Sequence, residues 1–124
     1  MNSLIFIMIV AVHWICDFVL QTDEQAKNKS SNIFYLLEHT AVYSVAWTVI
    51  LLLISATCIA GGIVFMSIPK ILLFGLITFV CHTVTSRLNS KLWAKGDVHN
   101  FFVSIGFNQV LHYVQLVLTL KYLL

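Results

Sequence analysis

The residues best able to do chemistry in this chain are four histidines and one aspartate set in apolar surroundings. His13-Trp14-Ile15-Cys16-Asp17-Phe18-Val19-Leu20-Gln21 closes a hydrophobic run that opens at Leu4. On a helix, residues four apart share a face, so His13, Asp17 and Gln21 form one polar stripe. His39, His82 and His112 lie in three later hydrophobic runs. The spacing of four recurs in His39 with Tyr43, His82 with Ser86, and Asn108 with His112. Such pairs present two ligands or hydrogen-bonding groups to one point. A lone aspartate in lipid costs about 2.5–3.5 kcal/mol on insertion scales, so a carboxylate kept there needs a partner and marks a functional site by default.

Neutral imidazole and carboxylate suit zinc and other divalent transition metals. This makes His13, Asp17, His39, His82 and His112 the candidate metal ligands. Gln21, Ser86, Asn108 and Gln109 are candidates to orient those ligands or to touch a small polar ligand. A bound metal can activate water. One reading is therefore a metal-dependent membrane hydrolase acting on a lipid or phosphate-bearing substrate, with Asp17 the best candidate for a catalytic group. A second is a proton or cation transport component, with His and Asp relaying charge. A third is a non-enzymatic interaction or regulatory protein. The stripe would then be interhelical glue, worth about 0.6 kcal/mol per hydrogen bond.

The elements that must position these groups are membrane spans. The chain has 124 residues, 60% hydrophobic and only 10% charged, where a soluble domain carries about 25% charged residues. Four apolar runs cover residues 4–21, 33–59, 68–88 and 100–123, near the roughly 20 residues that cross a bilayer. The expected fold is all-α: one domain over 1–124, a bundle of four transmembrane helices with both termini on one side. The first run lacks a charged leader and contains His13 and Asp17, so it reads as a retained span rather than a signal peptide. Ser31 or Asn32 suits the N-cap of the second span, Gly61-Gly62 its end, and Pro69 the first turn of the third. The three cysteines, Cys16, Cys58 and Cys81, are odd in number and lie within apolar runs, which favours packing over a disulfide framework.

Lys27, Lys29, Arg87, Lys91 and Lys95 fall in the first and third connections, against Lys70 and Lys121 elsewhere. The positive-inside rule then puts those connections in the cytoplasm and the termini outside. Lys27, Lys29 and Arg87 form a basic rim suited to anionic lipid or a phosphate-bearing ligand. Trp93 suits the interfacial aromatic belt. Glu38 points away from His39 and reads as a separate partner for the rim. His99, beside Asp97, reads as solvated. With a rise of about 1.5 Å per residue, all four buried histidines fall roughly 9–18 Å from the cytoplasmic ends of their spans. A net charge of +2 and the lack of a basic patch interleaved with aromatics give no case for nucleic acid. The expected partners are the lipid bilayer and either a second copy or another membrane protein.

These positions carry a family likeness. The chain resembles a family of small bacterial and phage integral membrane proteins of unknown function. Its pattern is H-x-x-x-D-F-x-L-Q in the first span, an early histidine in the second, H-x-x-x-D later, and D-Q-x-x-H in the last. Here the positions are His13, Asp17, Phe18, Leu20 and Gln21; His39; His82 and Ser86; and Asn108, Gln109 and His112. Ser86 and Asn108 stand where that pattern has aspartates. The resemblance implies a bacterial inner-membrane location and no established activity.

Overall fold

The computed structural model describes residues 3–93 and 98–124, with side chains over 3–89 and 98–124. All its regular elements are helical: α1 (Ser3–Trp14), a π-helical turn (Ile15–Val19), α2 (Asp23–Asn28), α3 (Ile33–Ala60), α4 (Ile68–Trp93) and α5 (Val98–Leu123). α3, α4 over Ile68–Asn89, and α5 are each long and apolar enough to cross a membrane. Ser3–Val19 is shorter.

Local chemistry sets the ends. Asn32 caps α3, its side-chain oxygen accepting the Phe34 N–H at 2.9 Å. Gly61 follows the last turn of α3, and Gly62 takes φ +76°, a left-handed conformation open to a residue without Cβ. Pro69 is the second residue of α4, where its missing N–H leaves no hydrogen bond unmade. The connection after the first span is not all loop, as its polarity suggests. Thr22 and Gln25 form a reciprocal capping box that starts α2, the pairing that satisfies two orphan donors at a helix start.

The first helix also departs from an uninterrupted α-helix to Gln21. The Leu20 N–H bonds to the Ile15 carbonyl, five residues back, at 3.0 Å. This wider turn buries both Cys16 and Asp17. The chain leaves the helix at Leu20, so Gln21 does not continue the stripe of His13 and Asp17.

α3 packs on α4 and α4 on α5, while α1 lies against α5 and its π-turn against α3. The outward faces are apolar: Leu53, Leu72, Leu76, Val80, Phe102 and Phe107 are all exposed. Burial selects one continuous inner stripe per helix. In α3 it runs His39, Tyr43, Trp47, Leu51; in α4 Ile71, Phe74, Thr78, His82, Ser86; in α5 Asn108, His112, Leu116, Leu120. α3 and α4 approach closely at Gly75, where a Cβ would collide with the Thr48 hydroxyl. Lys91 and Lys95, counted above for the topology, Trp93 of the expected aromatic belt, and Asp97 lie outside the described side chains.

Candidate functional site

The π-turn is the local device that presents Asp17. Such turns recur at functional sites because they re-aim side chains within a helix. Asp17 is 5% exposed, and His13, His39, His82 and His112 are at most 1% exposed. All four helical walls therefore deliver a histidine to one buried region.

Asp17 Oδ1, His39 Nε2 and His82 Nε2 form a triangle with sides of 3.1, 3.3 and 3.2 Å. Hydrogen bonds cannot satisfy all three sides together. A neutral ring nitrogen carries either a proton or a lone pair. If both nitrogens donate to Oδ1, their N–H groups converge on one oxygen and the side between the two nitrogens carries no hydrogen bond. If one accepts from the other, its lone pair faces the carboxylate oxygen. A cation at the centre removes the conflict, because all three atoms then present lone pairs to it. Tetrahedral zinc with bonds of about 2.0–2.1 Å has ligand-to-ligand edges of roughly 3.3 Å. The donor set and its spacing thus fit a metal ion.

A second set of contacts fixes the carboxylate. The Tyr43 hydroxyl meets His13 Nδ1 at 2.7 Å. His13 Nε2 meets Gln109 Oε1 at 2.6 Å. Gln109 Nε2 donates to Asp17 Oδ2 at 3.1 Å. One assignment serves every contact: Tyr43 donates to His13, neutral His13 donates from Nε2 to Gln109, and Gln109 donates to Asp17. The chain pins Oδ2 and leaves Oδ1 to face His39 and His82. His13 Nε2 lies 3.7 Å from Oδ2, beyond hydrogen-bond range.

His112 is engaged at both ring nitrogens. Nδ1 faces His82 Nδ1 at 3.2 Å and Thr85 Oγ1 at 3.3 Å. Nε2 faces the Asn108 amide at 2.9 Å. The His82 ring stacks on Tyr43 and lies against His112, with centroids 3.9 and 4.2 Å away. Of the five predicted ligands, Asp17, His39 and His82 form the triangle, while His13 and His112 hold its members from outside. Ser86 is buried one turn beyond His82. Glu38 and His99 are exposed.

Beside the triangle lies a cavity of about 200 Å³. Asp17, Gln21, Lys29, Ser86, Asn108 and Gln109 line its polar part, with Phe18, Ala26, Phe101 and Ile105 among the apolar remainder. Gln21 and Lys29 come to this wall because the chain turns at Leu20 and folds α2 back. Lys29 is the rim cation that reaches it; Lys27 is exposed, and Arg87 is half-buried away from the lining. Burial lowers the Lys29 ammonium pKa, and negative Asp17 pulls it the other way. Tyr43, paired with His39 by its spacing of four, acts instead on His13 through its hydroxyl. Nothing in the sequence singled out Lys29 from the other rim lysines.

Among the described residues the fold and site define a class: all helical, with three helices able to cross a membrane and a buried His/Asp cluster that could hold a metal ion. The chain belongs to the family described as "Protein of unknown function (DUF3307)", whose match spans residues 5–124. No curated protein and no solved structure matches it.

Proposed function

We propose that this is a four-span bacterial inner-membrane protein that binds a divalent transition metal, zinc the best fit, through Asp17, His39 and His82. The Asp17–His39–His82 triangle carries the reading: its three sides match a tetrahedral face and cannot all be hydrogen bonds. Three protein ligands leave the fourth position of zinc for water or a substrate group, the arrangement of catalytic rather than structural zinc. His13 and Gln109 orient Asp17, and His112 orients His82, as outer hydrogen-bond partners do around metal ligands. Ser3–Val19 serves as a short first span, at the lower end of the roughly 17–25 residues that suffice. The charged rim of Lys27, Lys29 and Arg87 sets the site toward the cytoplasm.

The test is metal content by elemental mass spectrometry on tag-free protein purified without chelator, wild type beside Asp17→Asn. Near-stoichiometric zinc or another transition metal in the wild type is expected, falling to background in Asp17→Asn with helix content unchanged. A metal-free wild type, or an equally loaded variant, contradicts the reading.

A further inference from the structure

We propose that the cavity, which meets the triangle at Asp17, is a binding site for a phosphate group held between Lys29, Gln21 and Asn108. The inference rests on the metal reading, because a dication is what offsets Asp17 for an incoming anion. The cavity is several times the ~30 Å³ share of one water and takes a group of phosphate size. Its donors point to an anion. Lys29 lines it, and so does Gln21, whose amide nitrogen is buried without a hydrogen-bond partner. A buried orphan donor costs about 1–3 kcal/mol, which a ligand acceptor at that point recovers.

Metal binding adds a third donor through neutral tautomers alone. With His82 Nε2 given to the metal, its proton sits on Nδ1, facing His112 Nδ1. His112 accepts there and carries its own proton on Nε2, facing the Asn108 amide. Only the amide oxygen can accept that proton. Asn108 Oδ1, which is otherwise buried without a partner, turns to His112, and the amide NH₂ turns to the cavity. Lys29, Gln21 and Asn108 then all donate toward one space. Phe18, Phe101 and Ile105 add an apolar wall suited to the carbon part of a phosphoester. Lys29 is the sole ammonium or guanidinium among the described lining residues, and Asp17 the sole carboxylate. A second cation is therefore poorly served there.

The experiment uses the full chain in phosphatidylcholine nanodiscs, zinc-loaded, with zinc content measured on every sample. Inorganic phosphate and glycerol 3-phosphate are titrated calorimetrically. Dioleoyl phosphatidic acid doped into parallel nanodiscs is scored by native mass spectrometry. Saturable binding is expected, weakened about tenfold by Lys29→Gln, one charge-assisted contact, at unchanged zinc content. Gln21→Leu weakens it as well. Binding of the soluble probes assigns a free phosphoester; retention of phosphatidic acid alone assigns a lipid headgroup. Zinc-loaded wild type that binds no probe, or binding indifferent to both substitutions, overturns this inference and leaves the metal site standing. A wild type without zinc overturns the metal reading itself.

Discussion

The inner stripes of the helices change character at one level. On one side, Ile9, Trp47, Leu51, Ile71, Phe74, Leu116 and Leu120 meet in an apolar cluster. On the other, the same stripes continue as His13 and Asp17, His39 and Tyr43, His82 and Ser86, and Asn108 and His112. The same helices carry both sides; the side chains along their inner stripes differ. The buried hydroxyls of the apolar side are spent locally, Ser55 donating to the Met66 carbonyl at 2.8 Å and Thr78 accepting from Gln115 at 3.2 Å. The contrast teaches a division of labour. Shape complementarity fixes the helices at one end, and that rigidity holds polar groups at ligand distance at the other. Sites on rigid elements keep their geometry within the tight tolerance that chemistry requires.

The division can be broken from either side. Phe74 is fully buried against Trp47, ring centroids 5.9 Å apart. Phe74→Ala is expected to cost about 3–5 kcal/mol of stability while leaving metal stoichiometry intact below the lowered melting temperature; thermal unfolding in detergent with metal analysis checks both. Gln109→Leu should do the reverse. It strips a donor from Asp17 Oδ2 and an acceptor from His13, so metal affinity, read by competition with a chromophoric chelator, falls about 10–100-fold with a smaller change in stability. The gentlest probe is Thr83→Val, which removes the 2.9 Å contact to Thr40 between α3 and α4. It should shift stability by about 0.6 kcal/mol and leave metal affinity unmoved. A large loss of metal on Phe74→Ala, or none on Gln109→Leu, would erase the distinction between the layers.

Much of this was legible in the residues. The spacing of four in His13–Asp17 and Asn108–His112, together with the similar depth of the histidines, marked the polar layer. Asn32, Gly61-Gly62 and Pro69 marked the helix ends. Helix rotation was not legible, because the lipid-facing sides are as apolar as the core, and hydrophobic periodicity cannot say which face turns inward. That rotation decides which histidines meet Asp17 and which stand behind. The π-turn has no sequence signal here, since neither Gly nor Pro lies in Ile15–Val19. α2 did carry one, the Thr22-x-x-Gln25 pair, masked by the polarity of its neighbours. The cavity wall depends on both features, so Lys29 gained its place only in three dimensions.

The measurement that bears most directly on the central claim is X-ray absorption at the zinc edge on the zinc-loaded wild type. The Asp17–His39–His82 site predicts a nitrogen and oxygen shell at about 2.0–2.1 Å, with outer scattering from two imidazoles. Sulfur near 2.3 Å, which would bring in buried Cys16, or a spectrum without imidazole scattering, would contradict it.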